Sequence, residues 1–424
     1  MKKLFHDGFV PDRTRVRWRM IQYNSNYKKY SIILFYVLFA IWNFNALIQI
    51  FVPRILYTVL YILVLLVSVF EFVKQKKFRL SKDAVSKNLL VLIFIMICLF
   101  RFLIQVIMGD YTELSLNRFL QTLVPVLVYF PATFLEYEDR EGLEVFYIKC
   151  ALLSVLLGLL NQITGILPSR YFADEMVRIG NYVTTRSYSM AGFSLGTGTI
   201  CSIGIALLLK NRDKFNITFK LVSAIVFIYG LAVTFSRGGV LFAVIIITVF
   251  TALNFSFSGN KINKFTLVSL IVLLLCFIIA VSVYGDKIFQ SAFWERYVLN
   301  AFDSSTSLRS NFQRKALELI KTYPLFGRGF GFVGSNAYSM SIGESFPPEN
   351  NYYQMAIDCG LIAMCSYMLF ALKAVFYELK MQDKEKIAYV GIVSGFMLWS
   401  WMSTPLEGDL NAAFFWYCIG SLVS

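Results

Sequence analysis

The chain has 424 residues, of which 57% are hydrophobic and 16% charged, and its mean hydropathy is +0.62. Soluble domains carry about 45–50% apolar and about 25% charged residues, so this composition excludes a water-soluble enzyme, a disordered chain and a disulfide-stapled secreted module. The net charge of +14 is high enough for nucleic-acid binding, but the distribution of Lys and Arg indicates membrane orientation instead, and no nucleic-acid partner is predicted.

Apolar runs long enough to cross a bilayer recur along the chain and predict an all-α polytopic membrane protein with about twelve transmembrane helices. Residues 1–29 form a basic N-terminal stretch before the first run, and residues 30–424 are predicted to form a single transmembrane domain. The predicted spans are 30–52, 54–73, 88–108, 115–135, 145–164, 193–209, 218–235, 237–256, 265–284, 351–372, 387–402 and 410–424.

Lys and Arg are concentrated in alternate connections, which sets the predicted orientation. The N-terminal stretch and the loop after the second span are rich in both, whereas the short loops on the other side hold only Arg54 and Arg118. Both termini are therefore predicted to be cytoplasmic. Two long loops, at about 165–192 and 285–350, then face outward, and the basic character of the second is not explained by topology.

Two arginines in the first half of the chain are candidates for ligand binding. Arg101 lies in the outer third of the third span, where a charge is costly and indicates function, although the side chain could also extend to the membrane surface. Arg186 lies in the first outer loop among tyrosines, and a guanidinium there could bind phosphate with two parallel hydrogen bonds. An interfacial aromatic belt explains the tyrosines equally well.

The segment Ser236-Arg237-Gly238-Gly239 forms the tight outward turn between the seventh and eighth predicted spans. Ser236 can cap the following helix and Arg237 lies in its first turn, so backbone N–H groups, the positive helix end and a guanidinium together favour an anion site. The alternative is that Arg237 only contacts lipid headgroups.

The second outer loop contains an amphipathic pattern over residues 307–321, with Arg309 near its start and Arg314 further along. We expect this helix to lie on the outer leaflet. Arg328 follows within a glycine-rich run, 327–331, which can wrap a phosphate but is more often a turn.

Residues 347–354 open the tenth predicted span with two prolines, Glu349, Asn350, Tyr352 and Tyr353. The only histidine is His6 in the N-terminal stretch, so a general base on the outer side must be a carboxylate. A structural helix-start role for Glu349 is an open alternative. The candidate carboxylates are Asp174, Glu175, Asp286, Glu295, Asp303, Glu344, Glu349, Asp358, Glu407 and Asp409.

No metal site or cofactor is predicted from the sequence. The seven cysteines form no C-x-x-C pair, and Glu407 with Asp409 in a short loop is a pattern more often solvated than metal-binding.

Three stretches resemble the O-antigen ligase and polysaccharide polymerase family of bacterial membrane glycosyltransferases: residues 234–239, residues 309–329 and residues 350–362. The resemblance covers mainly residues 230–365. Ligases of this family have a histidine where Glu349 stands, with ten residues between it and the motif glycine, Gly360. Some polymerases of the family use Glu there. Arg186 matches a family arginine in the first large outer loop, although position 197, where the family often has glycine, is Thr197.

The resemblance implies an all-helical fold in the glycosyltransferase-C-like class and a metal-independent, inverting polymerase in the bacterial plasma membrane. It implies an undecaprenyl-diphosphate-linked oligosaccharide as both donor and acceptor, with a chain-length regulator and a flippase as protein partners. Arg186, Arg237 and Arg309 would hold the diphosphate, and Glu349 would be the base. Further substrate-binding candidates are Arg101, Ser236, Arg314, Arg328, Asn350, Tyr352 and Tyr353.

Two other functions stay open at this point. A ligase would transfer a finished glycan to another acceptor. A lipid-linked oligosaccharide flippase or transporter would predict charges near the bilayer midplane and short loops on both sides. Apart from Arg101 the predicted spans are poor in charge, and the second outer loop is long, which disfavours a transporter.

The predicted orientation can be checked by labelling with a membrane-impermeant maleimide in spheroplasts, after the seven native cysteines are replaced by serine. Single cysteines at positions 186, 237, 309 and 349 are expected to react from outside without permeabilisation. Arg212→Cys, in a predicted cytoplasmic loop, is the control and should react only after permeabilisation. The predicted topology is contradicted if some of these four cysteines react from outside and others react only after permeabilisation.

Overall fold

The computed structural model describes residues 32–52, 66, 82–168, 176–179, 182–257, 304–334, 346–406 and 409–424. Within these ranges only the backbone is described for residues 82–87, 176–179, 182–185, 257, 304–309 and 409–410. The predicted span 265–284 and nearly all of the predicted span 54–73 lie outside the described residues.

The described residues are helical except for a two-stranded hairpin and short connections, which confirms the predicted helical class. The hairpin consists of β1 (Met176–Ile179) and β2 (Tyr182–Thr185), paired antiparallel, and was not predicted in the first outer loop. The helices are α1 (Ile32–Asn43), α2 (Asn45–Phe51), α3 (Lys82–Ile107), α4 (Glu113–Leu123), α5 (Tyr129–Ala132), α6 (Tyr137–Thr164), α7 (Ser194–Lys210), α8 (Ile217–Val233), α9 (Arg237–Phe257), α10 (Ser304–Thr322), α11 (Asn351–Cys359), α12 (Leu361–Met381), α13 (Ile387–Trp399) and α14 (Asp409–Val423).

Among the described residues, four helices are long and apolar enough to cross a membrane: α6, α12, and the segments Asn88–Ile107 of α3 and Arg237–Ser256 of α9. A fifth span results if α1 and α2, which meet at an angle of 91°, count as one. Shorter apolar helices are found at α7, α8 and Asn411–Val423 of α14. The protein is therefore a membrane protein, and the count of twelve spans stays a prediction.

Two predicted spans are broken rather than continuous. In the predicted span 115–135, α4 ends at Leu123 and a 3₁₀ turn, Pro125–Val128, separates it from α5. Pro125 lacks the N–H group that would continue the α-helical hydrogen bonds, which explains the break. The sequence pattern missed it because the apolar composition continues across the proline.

The second break divides the predicted span 351–372 into α11 and α12 at Gly360. Gly360 has φ 89° and ψ 169°, a conformation that is essentially restricted to glycine. The chain at Pro324–Phe326 fits into the break: Leu361 N donates to Pro324 O at 2.8 Å, and a Cβ on Gly360 would lie 1.9 Å from Leu325 O.

The helices enclose a core rich in aromatic side chains. In α14, Phe414, Phe415, Trp416 and Tyr417 are all at most 3% exposed, so this apolar helix is buried on several sides rather than facing lipid. Rings from α1 and α6 pack on it, with Trp42 and Phe414 centroids 4.6 Å apart. This packing makes α14 the central element around which the outer helices are arranged.

The end of the bundle that is predicted to be cytoplasmic contains a buried polar network centred on Glu144 of α6. Its carboxylate accepts hydrogen bonds from Lys210, from Asn211 Nδ2 at 2.7 Å and from the Tyr389 hydroxyl. The Lys210–Glu144 ion pair has side-chain exposures of only 8% and 1%. The network joins α6, α7 and α13 at this end of the bundle.

The break at Gly360 predicts unequal effects of two glycine-to-alanine substitutions. Gly109 and Gly360 both have positive φ, but a Cβ on Gly109 would meet nothing within 4 Å. We expect Gly109→Ala to cost about 1–2 kcal/mol from the left-handed backbone alone, and Gly360→Ala to cost clearly more because of the clash with Leu325 O. Thermal unfolding of the detergent-purified proteins measures the difference, and equal loss in the two variants would contradict the described break.

Candidate functional site

The first turn of α9 forms as the sequence predicts. Ser236 is the N-cap, since its Oγ accepts a hydrogen bond from Gly239 N at 3.2 Å. Arg237 is the first helical residue and is half-buried. The residue before the cap, Phe235, has φ 48°. The cap, the helix start and the guanidinium are thus placed together as an anion site requires.

The two glycines after Arg237 allow α9 to approach two neighbouring helices closely. A Cβ on Gly238 would lie 2.3 Å from the indole Nε1 of Trp399 in α13, and a Cβ on Gly239 would lie 3.1 Å from Cα of Gly198 in α7. Ser202 Oγ of α7 also donates to Gly239 O at 3.1 Å. The helix start is therefore held between α7 and α13, which fixes the position of Arg237.

Arg186 lies beside this helix start because its segment is bound to α7 and α8. Ser187 N donates to Val233 O at 3.0 Å, four residues before Arg237 in the chain. Ser189 N donates to Thr197 Oγ1 at 2.6 Å. Thr197 departs from the family motif, and its hydroxyl is the group that binds this segment, so the departure has a structural use.

Glu349 lies at the start of α11, directly before the N-cap Asn350. Asn350 Oδ1 accepts from the backbone N of Tyr352 and Tyr353 at 2.9 and 3.1 Å, and its Nδ2 donates to Trp401 O at 3.0 Å. Asn351 N donates to Ser400 O at 2.9 Å. The start of α11 is therefore anchored on the turn that follows α13.

That turn joins the two halves of the candidate site. Trp399, against which Gly238 packs, is followed directly by Ser400 and Trp401, which bind the start of α11. Arg237 and Glu349 thus lie on either side of one short turn, residues 399–403. This turn was not predicted from the sequence, although the Trp-Ser-Trp triplet at the end of a predicted span was a visible signal.

The middle of helix α10 contacts the segment just before α11. Gln313 Nε2 lies 3.5 Å from the backbone carbonyl oxygen of Glu349. Position 309 is one turn earlier on the same face of α10, since residues four apart lie on one helix face. The Arg309 side chain itself lies outside the described part of the structure.

Helix α10 is predicted to lie on the outer leaflet, and in the structure part of its apolar face is covered by protein. Ala316 and Ile320 on that face are 0% and 8% exposed because they pack against Ala356 and Ile357 of α11, within a cluster that includes Phe346. An amphipathic pattern indicates a face that must be covered, but it does not distinguish protein from lipid.

Unusual backbone conformations occur at the starts of both α9 and α11. Among the described residues, the non-glycine residues with positive φ are Phe235, Glu349 and Gln382. Gln382 is the left-handed C-cap of α12, an ordinary place for such a residue. Phe235 and Glu349 (φ 51°) instead flank the two halves of the candidate site, where strained backbone is typically concentrated.

Arg101 and Arg328 lie elsewhere, at the glycine-rich loop 324–331. Arg101, 7% exposed, donates through Nη2 to Arg328 O, and Gln105 of the same helix binds both N and O of Phe330. The Arg328 guanidinium lies 4.7 Å from the Phe332 ring centroid, and its Nη1 is 3.7 Å from Asp110 Oδ2. These contacts stabilise the loop, and a substrate-binding role for either arginine stays a prediction.

The remaining candidates differ in exposure. The hydroxyl of Tyr352 is buried and donates to Met397 O at 2.7 Å, so in this arrangement it binds the protein itself. Tyr353 is half-buried, and Arg314 is exposed, with Nη2 3.5 Å from Asn311 Oδ1. In the described ranges, no group of three or more His, Cys, Asp or Glu side chains could hold a metal ion.

The anchoring role of Asn350 can be tested with two substitutions. Asn350→Ser keeps a side-chain oxygen that can cap α11 but loses the bond to Trp401 O, whereas Asn350→Ala loses both. We expect the alanine variant to be less stable than the serine variant by about 1 kcal/mol, the usual value of an N-cap. Thermal unfolding in detergent measures this, and identical unfolding midpoints would show that Asn350 does not cap the helix.

Comparison with known proteins places these residues in a shared family segment. The model of one protein family, described as O-antigen ligase, matches residues 222–368. The matched stretch contains Ser236, Arg237, Glu349 and all of α10, whereas Arg101 and Arg186 precede it. A comparison with curated proteins found no match. The match confirms the predicted resemblance to the O-antigen ligase and polysaccharide polymerase family over residues 222–368.

Proposed function

We propose that this protein is a polysaccharide repeat-unit polymerase of the bacterial plasma membrane, acting on O-antigen or capsule precursors. It transfers a growing glycan from an undecaprenyl-diphosphate carrier to the terminal sugar of a lipid-linked repeat unit. The observation that carries the proposal is that the helix starts beside Arg237 and Glu349 both contact the segment 399–403, with α10 against Glu349 and the Arg186 segment bound to the end of α8.

The cationic half of the site suits a diphosphate. Arg237 lies in the first turn of α9, where the helix dipole also favours an anion, and Arg186 lies beside it. A guanidinium binds phosphate oxygens through two parallel hydrogen bonds and keeps its charge at any physiological pH. Because no nucleotide sugars exist outside the cell, a glycan built there needs a lipid diphosphate donor.

The reaction is a direct displacement at the anomeric carbon of the donor sugar. The hydroxyl oxygen of the acceptor forms a bond to that carbon while its proton moves to the Glu349 carboxylate. The bond from the anomeric carbon to the diphosphate oxygen breaks, and its electron pair stays on the diphosphate. Arg186, Arg237 and Arg309 stabilise the charge that develops there, and the configuration at the anomeric carbon inverts.

Glu349 favours polymerisation over ligation. The ligases that the sequence resembles have a histidine at this place, and some polymerases have glutamate. The matched family model is described as O-antigen ligase, so ligation is the second candidate. A ligase would leave long glycans on the lipid carrier when it is inactive, whereas an inactive polymerase would leave single repeat units.

The proposal includes a topology that brings the site to the lipid-linked substrates. Twelve spans with both termini in the cytoplasm place the start of α9 and the segment 285–350 at the outer face of the membrane, where flipped repeat units arrive. A flippase would supply these units, and a chain-length regulator would set how many are joined.

The test uses the purified protein with synthetic undecaprenyl-diphosphate repeat units, with and without EDTA. Wild-type protein should form a ladder of products that EDTA does not suppress. Glu349→Gln should lower the rate about 10²–10⁴-fold, the usual loss on removing a general base. Glu318→Gln, which changes an exposed carboxylate on α10, is the matched control and should keep the ladder.

Each outcome has a distinct meaning. Polymer of normal length and amount from Glu349→Gln would exclude Glu349 as the base. A ladder that disappears with EDTA would exclude the metal-independent mechanism. Transfer of preformed long glycans to a different acceptor, with no joining of single units, would identify a ligase.

A further inference from the structure

A buried ion pair connects two helices beneath the candidate site. Arg118 Nε of α4 lies 3.0 Å from Asp358 Oδ2 of α11, and the two side chains are 7% and 2% exposed. Gln354 Nε2 also donates to both Asp358 oxygens, at 3.2 and 3.1 Å. Charged residues within the apolar domain of a membrane protein are costly and indicate a function.

Stability alone gives no reason for this pair. Asp358 is in the last turn of α11, where the helix dipole disfavours a negative charge. Burial removes both charges from water, and apolar side chains of similar volume commonly stabilise a protein as well or better. The presence of the pair is therefore better explained by the helix that it holds in place.

The pair holds the far end of α11, the helix that begins two residues after Glu349. The near end of α11 is bound to the turn 399–403 through Asn350 and Asn351. Its far end is bound through Asp358 to Arg118 and through Ile357 O, which accepts from Arg328 N at 2.7 Å. The direction of α11 therefore depends on both sets of contacts.

Side-chain packing does not replace the pair on this side of α11. A cavity between α4 and α11 is lined by Asn351, Met355 and Asp358, which lie along one face of α11, and by Arg118 opposite them. Because a small cavity interrupts the packing along this face, the ion pair supplies a contact between α4 and α11 there.

We propose that Arg118 and Asp358 are positioning residues that set the direction of α11 and thereby place the Glu349 carboxylate. This inference rests on the proposed function of Glu349 as the base. Asn351, the first residue of α11, is seven residues from Asp358, about 10 Å along the helix at 1.5 Å per residue, and Glu349 lies two residues before it. A tilt of about 5° at Asp358 moves the start of such a helix by about 1 Å, and a misplacement of that size can cost about 10²-fold in rate.

The deciding variant removes both charges at once. Arg118→Met combined with Asp358→Leu leaves no lone buried charge, so we expect a folded protein with thermal stability close to that of wild type. Because the bridge is lost, kcat for joining lipid-linked repeat units should fall about 10- to 100-fold. The contacts that bind the diphosphate are unchanged, so KM should change by less than about three-fold.

A second pair of variants separates positioning from stability. Asp358→Asn breaks the pair and should lower kcat. Glu144→Gln breaks the buried Lys210–Glu144 pair, which is of the same kind but belongs to the α6–α7–α13 network. It should lose thermal stability while keeping kcat within about three-fold of wild type.

The outcomes distinguish this inference from the proposed function. If wild-type protein forms no product, or if Glu349→Gln matches wild type, the proposed function fails. If both behave as proposed but the folded double variant keeps wild-type kcat, only the positioning role is overturned. Should the double variant not be recovered folded, Asp358→Asn decides: wild-type kcat in that variant overturns the inference equally.

Discussion

The constraint on which the described structure depends is that backbone groups at helix breaks in an apolar domain must find partners within the protein. The break between α11 and α12 shows how this chain meets it. The segment 324–329 enters the break, where Pro324 O accepts from Leu361 N and Ile357 O accepts from Arg328 N and Gly329 N. Arg101 and Gln105 of α3 then bind the carbonyls of Arg328 and Phe330 on the other side of the segment. One glycine conformation and two buried polar side chains thereby provide hydrogen-bond partners for the backbone groups of this irregular region.

The candidate site lies where two such irregular regions meet. The start of α9 is held by close glycine contacts, and the start of α11 is held by the turn after α13. A site built this way presents helix N-termini and loop side chains at one end of the bundle, while the aromatic core around α14 provides the rigid support.

The sequence predicted those features that depend on composition or on local pattern. Apolar runs gave the helices, and the serine before Arg237 gave the N-cap of α9, because both signals act within a few residues of the chain. The breaks at Pro125 and Gly360 were missed because apolar composition continues across them. The Arg118–Asp358 pair joins positions 240 residues apart, so no local pattern could show it. The partner of the amphipathic face of α10 was likewise undetermined, since α11 and lipid both cover an apolar surface.

The right-angle bend between α1 and α2 has a consequence for the placement of Arg186. At the bend, Ala46 N donates to Met190 O, and Ser154 Oγ of α6 donates to Asn43 O. Met190 belongs to the short segment that begins with Arg186, so a contact from the N-terminal third of the chain helps to position that arginine. That third lies outside the stretch that the family model matches, so a substitution there can shift the Arg186 segment while every residue of the matched stretch stays the same. The placement of an arginine assigned to the proposed site is thus set partly by residues outside the matched stretch.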